Sequence, residues 1–137
     1  MEQTDVAIVG GGPIGLEMAA ALERSGIEYV VIEAGQIGST IEWYAPGTFF
    51  FSSPDRIAIA GVPLVTLLQT KATREEYLMY LRGVVEQFQL RIRRYTRVVS
   101  IERRDGAFTL GLRRSHHGVG GPHEADIATR ATKASTE

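Results

Sequence analysis

The chain has 137 residues, enough for one domain with a real core, and its 44% hydrophobic and 23% charged content is ordinary for a folded domain. A formal net charge of −1 gives no general attraction to nucleic acid or to an anionic membrane surface. The absence of cysteine excludes disulfides and thiol chemistry from this chain's own residues, and no apolar run is long enough to span a bilayer.

In chain order, the opening "MEQTD" carries acid where a signal peptide carries base, so a cytoplasmic protein is expected. "DVAIV" at 5–9 reads as a short buried strand that stops at Gly10. From Pro13 to about Arg24 the residues are good helix formers, and a proline at a helix start lacks only an N–H that would have had no partner. Gly26 is placed to cap that helix, and "YVVIE" at 29–33 is a second apolar strand. Strand, tight turn, helix and strand within about 30 residues make a βαβ unit with parallel, buried strands. Residues 34–56 are rich in glycine, proline, serine and aromatics, and predict a partly ordered excursion with a short strand near 49–51. "IAIAG" at 57–61 reads as another extended piece.

Residues 73–89 form the clearest helix. Thr73 and Glu76 have the spacing of a capping box, and Tyr77, Leu78, Leu81, Val84, Val85 and Phe88 fall on one face, which reads as core. "VVSIERR" and "AFTLGL" then flank Asp105-Gly106, a two-residue hairpin turn. Residues 113–137 have almost no large apolar residue and no usable period, and read as loop or disordered tail. No internal repeat is present.

The glycine turn carries the functional signal. Gly10, Gly12 and Gly15 match G-x-G-x-x-G, with the small Ala19 one helical turn further on. Gly10 permits the sharp exit from the strand, Gly12 lets a pyrophosphate approach the backbone, and Gly15 allows close helix–strand packing. The helix N-terminus then offers N–H groups and its positive dipole end to that anion. Glu33 ends the second strand, 18 residues after Gly15, where a carboxylate accepts hydrogen bonds from the two hydroxyls of an adenosine ribose and repels a 2′-phosphate. A turn serving only sheet packing is the alternative reading of the glycines. A Walker-type phosphate loop is excluded, because no Gly-Lys-Ser/Thr follows. Spacing alone does not separate FAD from NAD.

"DVAIVGGGPIGLEMAAAL" with "YVVIEAG" resembles the N-terminal FAD signature of the two-dinucleotide-binding flavoproteins, the group of the thioredoxin and disulfide reductases. "TFFFSSPDRIAIAGVPL" followed by "KATREEYLMYLRGVV" resembles its bacillithiol-disulfide-reductase-like (YpdA-like) members, and the likeness runs over residues 4–112. The resemblance implies FAD in one domain, NADPH in an inserted second one, and hydride passing from NADPH through the flavin to an acceptor. By position, Gly10, Gly12, Pro13, Ile14 and Gly15 would surround the FAD pyrophosphate. Glu33 would take the ribose, Ala34 and Gly35 complete the expected cofactor-binding set, and the Val98 backbone would contact adenine. Three departures stand against a full reductase. Ile14 occupies a position where the family commonly has cysteine; no second G-x-G-x-x-G is present, so the NADPH domain is missing; and the later Ala-Thr-Gly and Gly-Asp motifs are absent.

The expected fold is therefore α/β, a Rossmann-like three-layer FAD-binding domain with a βαβ start and a β-hairpin, incomplete, with residues 1–112 as its N-terminal part and 113–137 as tail. The expected function is the FAD-binding portion of an NAD(P)H-dependent flavoprotein oxidoreductase, the front part of a longer protein, whose isolated chain would not turn over. A non-catalytic FAD- or ADP-binding module or remnant is the first alternative, and an NAD-binding dehydrogenase domain the second. The aromatic segment after Glu33 weighs against the latter, since a simple NAD domain would continue directly with helix and strand. No catalytic residue is assigned.

Other features read more plainly. Trp43, Tyr44, Phe49, Phe50, Phe51, Ser52 and Ser53 form either a wall beside the flavin or core and turn. "RIRRYTR" at 91–97 reads as solvated strand edge, not as a nucleic-acid patch. His116, His117 and His123 lack a supporting ligand set, so no metal is expected. Neither nucleic acid nor membrane is expected as a partner; the small-molecule acceptor and the oligomeric state, a homodimer among the options, are left open.

Overall fold

A computed structural model describes residues 2–115 and 127–132. The elements run β1 (Glu2–Thr4), β2 (Val6–Val9), α1 (Pro13–Ser25), β3 (Tyr29–Ile32), α2 (Ser39–Glu42), α3 (Pro54–Ile57), α4 (Arg74–Phe88), β4 (Ile92–Arg93), β5 (Thr96–Arg104), β6 (Ala107–Arg114) and β7 (Ile127–Thr132). Two sheets result. The parallel one has the order β2-β3-β4, and the mixed one the order β1-β7-β6-β5.

β3 shows how the layers are made. All four of its residues are buried, and they alternate between two cores as a strand's period of two requires. Tyr29 and Val31 join Leu16, Ala19 and Ala20 of α1 and Tyr77, Leu78, Leu81 and Val84 of α4. Val30 and Ile32 turn the other way, onto Leu110 and Leu112 of β6, with Ala7 and Val98 packed alongside. The order is helices, parallel sheet, antiparallel hairpin, which is the three-layer plan expected from the sequence. Ala19 and Ala20 are fully buried beside Leu16, and their small side chains let that part of α1 approach the sheet closely.

Local rules hold at the element ends. α1 stops at Gly26, whose φ of 67° is the left-handed conformation that glycine adopts without strain. Thr73 and Glu76 form the reciprocal capping box of α4. Asp105 and Gly106 have φ values of 50° and 78°, the paired left-handed residues of a type I′ turn, and Arg104 pairs with Ala107 across it.

Four readings are corrected. Residues 2–4, taken only as an acidic opening, form β1. The strand near 49–51 reduces to one bridge, Phe49 to Thr73. The extended piece at 57–61 is instead the end of α3 and a turn, in which Ala60 and Gly61 both have positive φ. Side chains override the apolar pattern there: Glu17 and Arg24 of α1 bind the Ala60 backbone, and the Tyr80 hydroxyl binds that of Ile59 and Val62. Finally, β6 runs on to Arg114, and β7 lies within the stretch read as tail. β7 pairs parallel with β1 and antiparallel with β6. Its backbone is thus laddered on both sides, a stabilisation that composition does not reveal. The histidines at 116, 117 and 123 lie outside the described residues. No helix among the described residues is long and apolar enough to cross a membrane.

Candidate functional site

β2 ends at the glycine turn, and the three glycines of the motif are glycine for three different reasons. Gly10 has a φ of 110°, open to few other residues, and its N–H donates to the Ile32 carbonyl at 2.9 Å. At Gly15 an added Cβ would stand 2.1 Å from the Gly10 carbonyl oxygen, a backbone contact that cannot yield. Gly12 is different. Its φ of −86° and ψ of −176° suit any residue, and a Cβ there would have no protein atom within 4 Å. The chain itself does not need a glycine at 12; the bare backbone borders open space.

That space is a cavity of about 710 Å³, within the range of ligand sites. Gly10, Gly12, Pro13, Ile14 and Glu33 form one end. Tyr44, Phe50, Tyr77, Ile57 and Ile59 give it apolar walls, and Glu17 and Arg56 add charge. Ile14 is 83% exposed at the lip. Gly12 is the N-cap of α1 and supplies no side-chain acceptor, Pro13 follows, and the first turn holds no acid. An uncapped helix start with its positive dipole end at a ligand-sized cavity suits an anion.

Glu33 is 6% exposed, and this burial is offset by three donors. Its Oε2 accepts from the Gly11 N–H at 2.6 Å, and its Oε1 accepts from the Gly35 N–H at 2.7 Å and the Ser39 hydroxyl at 3.0 Å. A carboxylate has about four acceptor positions, so roughly one, on Oε2, is left for a further donor. The sequence pattern predicted room for two sugar hydroxyls; the geometry leaves Glu33 room for one.

Ala34 and Gly35 line a second, smaller hollow of about 290 Å³ with Gln36, Trp43, Tyr95, Arg97 and Ser115, and it meets the first at Ser39. Val98 lines neither; its side chain packs beneath the parallel sheet, and its neighbour Arg97 lies at the hollow. Gln36 donates to the Tyr95 hydroxyl, and Ser115 donates to the Ala34 carbonyl. Ser39, Gln36, Tyr95, Arg97 and Ser115 escaped the sequence reading, because their proximity depends on contacts across as many as 81 residues and no spacing encodes it.

Of the aromatic segment, Tyr44 and Phe50 line the larger cavity and Trp43 the smaller. Phe50 meets Tyr77 edge-on at 4.7 Å between centroids. Phe49, Phe51 and Ser52 are exposed, Phe51 to 95%, and form no part of the wall. Burial, with the neighbouring Tyr80 second, pushes the Tyr77 hydroxyl up to about 12, and it donates to the Ile57 carbonyl at 2.8 Å. Tyr77 therefore stays protonated and holds the wall in place. Two of the arginines of 91–97 make structural contacts: Arg91 pairs with Glu28 and stacks over Tyr29, and Arg93 pairs with Glu2. Among the described residues no cluster of three metal-binding side chains exists.

Fold and site together define a Rossmann-like α/β domain of the kind found in flavoproteins. The chain belongs to the pyridine nucleotide-disulphide oxidoreductase family, whose pattern matches residues 7–116. It is 38% identical over 87 residues to the bacilliredoxin reductase Bdr of Bacillus subtilis, covering 64% of this chain and 26% of that protein. The bacillithiol disulfide reductase Bdr (YpdA) from Bacillus cereus superposes with a TM-score of 0.85 at 30% identity, over 95% of this chain and 38% of that one. A flavin-containing monooxygenase from Stenotrophomonas maltophilia shares the fold, with a TM-score of 0.82 at 24% identity over 96% of this chain and 37% of its own. The chain thus spans between a quarter and two fifths of the length of these relatives.

Proposed function

We propose that this chain is the FAD-binding portion of an NAD(P)H-dependent flavoprotein oxidoreductase. The observation that carries this reading is Gly12: a glycine the backbone does not require, facing a ligand-sized cavity at an uncapped helix start. The residues fit the group. Gly10, Gly12, Pro13 and Ile14 would receive the diphosphate, with Gly15 keeping the turn tight beneath them. Glu33 would take one ribose hydroxyl, and Ala34, Gly35 and Arg97 frame a hollow for the adenine, next to the Val98 backbone. Tyr44, Phe50 and Tyr77 would cover the far end and exclude water from it. Bound FAD supplies hydride chemistry at its ring; the protein's share is to place and shield that ring.

A second reading is a module that binds FAD or its ADP part without turnover. NADPH as donor, a small-molecule acceptor and a homodimer are proposals only for an assembly that includes more than this chain. The purified protein should be yellow, with a flavin spectrum, and should bind FAD in preference to NAD. Anaerobic bleaching by NADPH supports the reductase; colour without bleaching supports the module; no flavin binding at all overturns both.

A further inference from the structure

We infer that Glu33 is a positioning residue for the glycine turn as well as a ligand for the sugar: its carboxylate holds the Gly11 N–H and thereby sets the diphosphate cradle. This inference rests on the nucleotide reading above. The motif G-x-G-x-x-G leaves the second position free, yet this chain has glycine there too. The reason is steric. A Cβ on Gly11 would lie 3.1 Å from Glu33 Cβ and 3.2 Å from both its Cγ and Oε2, closer than such contacts normally come. A side chain at 11 would push the acid aside by a few tenths of an ångström, whereas Gly12 is bare toward the cavity.

The 2.6 Å bond from Gly11 to Oε2 ties the turn to the end of β3 across 22 residues. The far side of the same carboxylate is fixed by Gly35 and Ser39, and the Gly11 carbonyl accepts from the Gly38 N–H at 3.0 Å. Gly11 is therefore held on both its polar groups, one by the acid and one by the residue that opens α2. A carboxylate needed only for a sugar would present its oxygens to the cavity; this one spends most of its acceptors on the protein. Removing its charge should loosen the turn and weaken the grip on phosphate, whether or not the ligand has sugar hydroxyls.

The test compares ADP with 2′,3′-dideoxy-ADP, which lacks both hydroxyls, by calorimetry on the flavin-free protein. Glu33→Gln should weaken both ligands, dideoxy-ADP by about tenfold, the size of one charge-assisted hydrogen bond. Gly11→Ala, which presses on the acid without removing it, should weaken the two ligands by equal factors. Equal affinity of the native protein and both variants for dideoxy-ADP overturns the inference and leaves Glu33 a sugar ligand alone. A readout without ligand separates this result from failure of the nucleotide reading. The Gly11 amide in the native protein should exchange slowly with solvent and resonate far downfield, and Glu33→Gln should abolish both features. If that amide exchanges freely in the native protein, the positioning role is wrong even where ADP binds. If the amide behaves as stated and ADP does not bind, the positioning stands and the nucleotide reading falls.

Discussion

The two long helices begin in opposite ways. α4 starts at Thr73, whose hydroxyl accepts from the Glu76 N–H at 3.2 Å while Glu76 accepts from the Thr73 N–H at 2.8 Å. Glu76 also accepts from Leu67 at 3.0 Å, and Glu75 accepts from Gly47 at 3.1 Å. Two acids thus answer the dipole of α4 from within the chain. α1 has a glycine at its cap, a proline next, and no acid in its first turn. Both helices pack on the same core, so the difference does not come from what the fold needs. A helix end whose donors are answered by its own chain is scaffold; on the function proposed above, the one left open beside a cavity receives an anion supplied from outside.

The sharpest way to break that comparison is Gly12→Val. A Cβ at 12 meets no protein atom within 4 Å, so stability to urea should fall by no more than about 1 kcal/mol, the cost of a poorer N-cap residue. FAD affinity should fall by about a thousandfold, roughly 4 kcal/mol, because the isopropyl group takes the diphosphate's place. Full flavin retention in Gly12→Val would move the ligand elsewhere. Next comes Gly15→Ala. Its Cβ would press on the Gly10 carbonyl at 2.1 Å, so the turn itself must shift, at a cost of about 3 kcal/mol in unfolding free energy. A loss below about 1 kcal/mol would show that the turn is slack and that its shape is not built for close contact.

The same contrast shows what sequence conveys. Local signals carried through: the βαβ start, the capping box, the Asp105-Gly106 turn, and the pairing of a glycine turn with an acid at the next strand's end. Each is decided within a few residues or by one strand–helix–strand unit. What escaped was decided at long range. β7 is a strand because β1 and β6 lie on either side of it. Residues 57–61 turn because Glu17, Arg24 and Tyr80 hold their backbone. The smaller hollow joins Trp43, Arg97 and Ser115, which no periodicity connects. Glu33 was found by spacing, but its commitment to Gly11, Gly35 and Ser39 appears only once the turn closes on it.

The smaller effects belong to α4. Thr73→Ala should cost about 1 kcal/mol, the usual loss for a cap, and leave FAD affinity unchanged, since that end of the helix faces no ligand. A drop in flavin affinity matching that of Gly12→Val would erase the distinction between the two ends. Glu76 gives a finer test through pH. The Thr73 and Leu67 backbone N–H groups, then the Thr73 hydroxyl, hold its carboxyl below the ordinary 4.5. A carboxyl depressed in the folded state binds its proton more readily when unfolded, so its stabilisation is complete above pH 4.5 and fades as pH falls through the lower folded value. Between pH 5 and about pH 3, the native protein should therefore lose more stability than Glu76→Gln, and the two should draw together at the acid end. Parallel curves over that range would mean that the box contributes through geometry alone, and that charge at a helix start is not what separates α4 from α1.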